Sequence, residues 1–180
     1  MIPKGIHPTL LLNDNNNYIL FKTAIYFAEL GLNVWFISPN VIDKIPENIS
    51  PPDKEILQLI IFIYLKNYKD LITHLNAIHM WHKSPTVIIL GGFDIYTNLY
   101  GTNYDPTLTG LISSIVLDSA AVCTKKNNKS VYVILATKST PEEYKDRIKV
   151  LYDLYFPNLI HDITEEAVVL DAIIDYYKNK

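Results

Sequence analysis

Four short, nearly continuous apolar runs limit what this chain can fold into: Asn33–Ser38 (NVWFIS), Ile56–Tyr64, Thr86–Leu90 (TVIIL) and Val131–Thr137 (VYVILAT). A strand with one wet face alternates apolar with polar residues, so runs like these belong to strands covered on both faces. Thr9–Leu12, after Pro8, and Leu159–Ile163, after Pro157, read as two further short strands. Between them lie segments with helical spacing. Tyr18–Leu30 places Ile19, Leu20, Ala24, Phe27 and Ala28 on one side and stops at Gly31, and Asn67–Trp81 does the same with Leu71, Leu75 and Ile78. Leu108–Cys123 is the next helix. Pro141 opens another with Glu142 and Glu143 in its first turn, where acids suit the dipole, and Thr164 is placed to cap a last helix through Tyr177. Repeated strand–helix alternation predicts an α/β fold: a mostly parallel sheet covered by helices on both faces.

The connections are polar or broken by proline. Asn40–Asp53 holds Pro46, Pro51 and Pro52, residues 97–107 form a loop with Gly101 and Pro106, and the KKNNK stretch at 125–129 reads as a turn. The whole chain of 180 residues is expected to be one domain, with 164–180 as a terminal helix. Hydrophobic residues make up 49% and charged residues 19%, enough to bury a core and too apolar for a disordered chain. The longest unbroken apolar run, Leu59–Leu65, has seven residues. A bilayer needs about twenty, so no membrane helix and no membrane association are expected. The amino terminus lacks a cationic segment followed by a long apolar stretch, which predicts no signal peptide. Cys123 is the only cysteine, so an internal disulfide and a zinc-type cysteine set are excluded, and a reduced intracellular domain is expected.

The net charge of −3 argues against a basic nucleic-acid coat, but it hides a pattern. Residues 123–149 carry a local +4 and residues 150–180 a local −4. A basic patch is therefore one reading of Lys125, Lys126 and Lys129; a solvated helix face and loop is the other. Ile, Lys, Asn and Tyr supply 68 of the 180 residues, whereas arginine occurs once, at Arg147. All four common residues have A/T-rich codons, which points to an A/T-rich genome.

In open parallel sheets, ligands bind at the carboxyl ends of the strands, so the first strand-to-helix turn is where a phosphate loop would sit. That loop needs glycines for close backbone approach and a lysine for the phosphates. Here the turn reads Asn13, Asp14, Asn15, Asn16, Asn17, with no glycine between Gly5 and Gly31, and Asp14 brings negative charge. It has the look of a vacated phosphate site. Lys22–Thr23 resembles the end of the motif but falls inside the predicted helix. After TVIIL, a hydrolase would place a magnesium-organising aspartate. Gly91 stands there instead, followed by Gly92, and Asp94 comes three residues late. As a plain structural feature, Gly91–Gly92 is a tight exit turn. His74, His79 and His82 share one predicted helix without an evident acidic or cysteine partner and read as structural histidines. Ser113, Ser114, Asp118 and Cys123 lie on a helix rather than a nucleophile turn, so no serine or cysteine catalysis is expected. No cofactor is implied.

Taken together these segments resemble the RecA/Rad recombinase core. More closely they resemble the small recombinase paralog that partners a SWIM-domain zinc protein in the Shu complex. The resemblance rests on the LLL strand, NVWFISP, LQLIIFIYLKNYKDLITHL, VIILGGFDIY, LISSIVLDSAAVCTKK, VYVILATKSTPEE and LYDLYFPNLI, the last with Tyr155-Phe156-Pro157, and covers about residues 8–163. Aligning Tyr18–Gly31 with the helix after the phosphate loop leaves that loop about three residues short and puts Asn16 at the lysine position. An A/T-rich genome encodes lysine easily, so the loss implies relaxed selection on nucleotide binding.

The resemblance implies a non-catalytic, pseudo-ATPase subunit of the nucleus that supports homologous recombination and DNA double-strand-break repair. Its partners would be the SWIM-domain protein, a recombinase filament and single-stranded DNA. The chain begins at its first strand, so filament formation by itself is not expected. In recombinases the loops after the fourth and fifth core strands face DNA. The matching stretches are Tyr96–Gly110 and Lys138 onward. Candidate DNA contacts are therefore Lys138, Tyr100 and Tyr104, with Tyr96 as a further stacking residue, and Lys125, Lys126 and Lys129 as an additional basic turn. Two rival readings remain. One is an NTPase recruiting Lys22, Thr23 or Asp94; the other is a RecA-like adaptor unconnected with DNA.

Overall fold

A computed structural model of the chain describes residues 2–14, 16–42, 44–46, 48–160 and 166–179. Six strands, β1 (Ile6–Leu12), β2 (Val34–Ser38), β3 (Ile60–Tyr64), β4 (Val87–Leu90), β5 (Val131–Thr137) and β6 (Asn158–Ile160), form one sheet in the order β3-β2-β4-β5-β1-β6. Every pairing is parallel. The helices are α1 (Asn16–Glu29), α2 (Lys54–Leu57), α3 (Tyr68–Asn76), α4 (Phe93–Thr97), α5 (Pro106–Asn127), α6 (Lys145–Leu154) and α7 (Glu166–Lys178).

The continuous apolar runs do what covering on both faces requires. Alternate residues of each strand enter two separate cores. Trp35, Ile37, Ile88, Leu90, Val133 and Leu135 meet α3, α5 and α6, whereas Phe36, Ile89, Ile134 and Ala136 meet α1 and α7. All of these side chains are buried. Burying an aliphatic or aromatic side chain of this size contributes about 1.5–3 kcal/mol, so the central strands anchor the fold.

Several boundaries differ from the sequence reading, each for a local reason. Ile56–Tyr64 is not one strand: Lys54–Leu57 makes a helical turn, and β3 begins only at Ile60. The helix expected over Asn67–Trp81 uses Asn67 as its cap, accepting from the N–H groups of Lys69 and Asp70, and ends at Asn76. A separate 3-10 turn, Ile78–Met80, follows. Residues 97–107 are not all loop. Asp105 caps α5, and Pro106 takes the first helical position, where its missing N–H costs nothing. At its other end α5 runs through Lys125 and Lys126 and stops at Asn128, which adopts φ 51°, a left-handed conformation asparagine tolerates. The 125–129 stretch is thus a helix end plus its cap. Thr164, the expected cap of α7, lies outside the described residues.

Among the described residues α5 is long and apolar enough, by length and composition, to cross a membrane, which the search for unbroken apolar runs did not reveal. Its buried residues, including Ile112, Val116, Ala120 and Cys123, belong to the core beneath the sheet.

Candidate functional site

The carboxyl ends of β1, β2, β4 and β5 frame a polar cleft of about 220 Å³. Asp14, Asn16 and Asn17 form one wall, Ser38 and Asn40 another, and Gly91, Gly92, Asp94 and Lys138 close it. This is where a parallel sheet holds its ligand, and the turn between β1 and α1 is pulled down rather than arched over it. The Asn13 N–H donates to the Thr137 carbonyl at 3.1 Å. The Asn16 side-chain amide donates to the same carbonyl at 2.9 Å, and Asp14 accepts from the Ser139 N–H at 3.1 Å. Asn15 lies outside the described residues. These bonds tie the short turn to the end of β5.

The other wall is equally closed. Gly91 donates its N–H to the Ile37 carbonyl at 2.9 Å, and a Cβ built there would stand 3.3 Å from a methyl carbon of Leu20. Gly92 has φ 68°, and a Cβ there would meet the Pro39 ring at 2.7 Å. The pair is a tight exit turn, and a side chain at Gly91 would press on Leu20. Among the described residues, Asp94, in the first turn of α4, is the one acid on that side of the cleft. Lys22 is elsewhere: it lines a groove with Glu29, Pro51 and Ile174, its ammonium 5.5 Å from the Tyr18 ring centre. Thr23 is buried and donates its hydroxyl to the Ile19 carbonyl.

No family model matches the sequence, and no curated protein matches it. Among solved structures, the chain is similar to the crystal structure of the RadB recombinase, with a TM-score of 0.51 and 11% sequence identity over 77% of this chain and 70% of that one. The chain shares the fold of that structure, a parallel α/β sheet covered by helices on both faces.

Within this fold the candidate DNA residues fall into two groups at opposite ends of the strands. Lys138, Tyr100 and Tyr104 stand with the carboxyl ends. The Tyr100 hydroxyl donates to the Lys138 carbonyl at 2.9 Å and lies 3.1 Å from the hydroxyls of both Thr137 and Thr140. Burial raises its pKa. The Tyr104 ring lies 4.2 Å from the guanidinium carbon of Arg147, which also stacks at 4.5 Å on Tyr144. Tyr96 is buried, bonded to the Leu65 carbonyl, and offers no ring face for a base. Lys125, Lys126 and Lys129 instead flank the start of β5, roughly 20 Å from Lys138 at about 3.3 Å per residue along the strand. The Lys126 ammonium donates to the carbonyls of His79 at 3.1 Å and Trp81 at 2.6 Å, so it closes the end of the 3-10 turn.

The histidines do not converge. The ring of His74 packs 5.1 Å from Trp35 and 5.3 Å from Trp81, and burial lowers its pKa. His79 bonds the Asn76 carbonyl through Nδ1. Among the described residues no group of three side chains is placed to hold a metal. Ser113 donates to the Thr109 carbonyl inside α5, and burial pushes the Cys123 thiol up to about 12, far from a reactive thiolate. The residue that sequence reading passed over is Arg147. Being the single arginine of a lysine-rich chain was its signal, and its place is structural: it holds the 98–105 loop through the carbonyls of Leu99 and Gly101.

Proposed function

We propose that this chain is a non-catalytic RecA-like subunit that supports homologous recombination and double-strand-break repair in the nucleus. It would act in a Shu-type complex as the partner of a SWIM-domain protein, alongside a recombinase filament. The observation that carries this reading is the cleft. It is lined by Asn16, which is held by Thr137, and by Gly91, the residues that the resemblance sets at the positions of the phosphate-binding lysine and the magnesium-organising acid, and this supports a reading without nucleotide chemistry. Asp94 alone gives little support to a non-standard NTPase, since Lys22 and Thr23 point away from the cleft.

A second feature supports a partner. Residues 56–65 contain no charged side chain, and β3 is an edge strand. Natural proteins blunt such edges with charge or proline, or cover them. Here Val41, Ile61 and Tyr64 remain exposed along that side. The test is co-expression with the SWIM-domain protein of the same organism, followed by size-exclusion chromatography with mass determination. A stable heteromer, with this chain aggregating alone, is the expected result. A soluble monomer that ignores that protein sinks the Shu-type reading and leaves an adaptor.

A further inference from the structure

We propose that the amino-end edge of the sheet, opposite the cleft, is a binding site for single-stranded nucleic acid, with Trp81 as the stacking platform and Lys83, Lys125 and Lys129 as phosphate contacts. The inference rests on the DNA-repair reading above; of the two candidate groups it chooses the basic turn, and it adds Trp81 and Lys83, which the sequence alone did not single out as DNA contacts. Two distant segments meet there. Lys126 binds the carbonyls of His79 and Trp81, and the Asn127 amide donates to the carbonyls of Ser84 at 3.4 Å and Pro85 at 3.0 Å. The start of the chain joins them, since the Val131 N–H donates to the Gly5 carbonyl at 2.8 Å, which brings in Lys4.

The chemistry of the edge is one-sided. Residues 71–93 and 119–141 contain no aspartate or glutamate, so the lysines of this surface have no acidic neighbour on their own segments. The nearest acid along α5, Asp118, lies about 10 Å away along the helix axis from Lys125, at 1.5 Å per residue. Lysines in a last helical turn also serve the helix dipole, and Lys126 does so here. That role does not account for Lys83, Lys129 or Lys4, which lie outside any helix and are exposed.

Trp81 supplies the second requirement of a single-strand site. It is 44% exposed, yet it is held edge-on against Trp35 at 5.5 Å and against His74 at 5.3 Å. A ring fixed in this way can accept a base with little ordering cost. A held ring flanked by lysines matches the stacking-plus-phosphate chemistry of a single strand, which favours a nucleic acid over an anionic lipid surface.

Titration of the full chain with labelled oligothymidylate, following anisotropy and tryptophan emission, tests this. Trp35 is 1% exposed, so quenching on binding reports Trp81. The native chain is expected to bind with quenching. The combined Lys83→Ala, Lys125→Ala and Lys129→Ala variant should reduce the log–log salt slope by about 2, at roughly 0.7 per phosphate. Trp81→Ala should weaken binding about tenfold or more, and Lys138→Ala should weaken it less than the triple variant does. Binding that survives the triple variant but is lost in Lys138→Ala overturns the inference and leaves the repair reading standing, with DNA at the cleft edge. Absence of binding by both the chain and its SWIM-domain heteromer at low salt removes the site, while heteromer formation still judges the subunit reading. Binding to phosphatidylserine vesicles without binding to oligothymidylate also overturns it, in favour of a lipid surface.

Discussion

The side-chain amide of Asn16 donates to the backbone carbonyl of Thr137 at 2.9 Å, joining the first turn of α1 to the last residue of β5 across 121 positions of sequence. The bond closes one side of the cleft. Two consequences can be measured. Asn16→Ala should lower stability by about 1 kcal/mol in urea unfolding, the typical worth of such a bond. Asn16→Lys should still show no ATP binding by calorimetry, because the turn has no glycine to bring backbone N–H groups onto a phosphate. Tight binding by Asn16→Lys would mean that the cleft is one substitution from function and that the pseudo-ATPase reading overstates its decay.

Arg147 organises the loop over residues 98–105. Its guanidinium lies between the rings of Tyr104 and Tyr144 and donates to the carbonyls of Leu99 and Gly101. Lysine keeps the charge but loses both the flat stacking surface and the fork of donors. Arg147→Lys should therefore cost about 2 kcal/mol, adding cation–π contacts and charge-assisted bonds at a partly buried site. Amide exchange should accelerate over residues 98–105 and not in β2. A variant as stable as the native chain would show that the loop is held by its own packing.

Tyr177 sets an alkaline limit to stability. Its hydroxyl lies 2.7 Å from Thr9 Oγ1 inside the sheet–α7 layer, and burial raises its pKa. Burial does the same for Tyr96, with the Asp70 charge adding to it, and for Tyr100. In the unfolded chain these groups ionise near 10. Above that pH the unfolded state has released protons that the folded state retains, so stability is full below about pH 10 and falls as pH rises through and beyond it. Unfolding monitored at rising pH should coincide with the appearance of tyrosinate absorbance from these residues. Tyr177→Phe should lower stability by about 1–2 kcal/mol at neutral pH and make the alkaline limb shallower.

The expectations that held and those that failed share one cause. Val131–Thr137 was legible to the residue because an apolar run with polar ends has only one way to sit in a covered sheet. Gly31 likewise marked the end of α1, where φ is 76°. Ile56–Tyr64 misled because a continuous apolar run carries no period: Lys54–Leu57 turns as a helix while the next residues extend, and nothing in the composition separates them. That Asn16 and Gly91 line the cleft was readable, since the carboxyl ends of parallel strands are a known point of the fold. The spatial grouping of the lysines was not. Lys129 and Lys138 are nine positions apart and share a basic segment, but β5 runs between them and carries them to opposite ends. Only tertiary placement tells which strand ends share a surface, and it joined Trp81 to Lys126 across 45 positions of sequence.

The open edge of β3 gives the last prediction. The Val34 N–H donates to the Leu59 carbonyl and the Leu65 N–H to the Ser38 carbonyl, so odd-numbered residues face β2. The backbone groups of Ile60, Phe62 and Tyr64 therefore point away from the sheet. Ile61 is 40% exposed on the opposite face from α1, so a charge there reaches water without entering the core. Ile61→Lys should leave the unfolding midpoint within about 0.5 kcal/mol of the native value, as surface substitutions do. It supplies the missing gatekeeper charge, and the isolated chain should scatter less light at high concentration. If the edge is where a partner sits, the same variant should also weaken heteromer formation. Reduced aggregation with undiminished heteromer would place the partner on another surface, whereas no change in either would show that this edge is already shielded in solution.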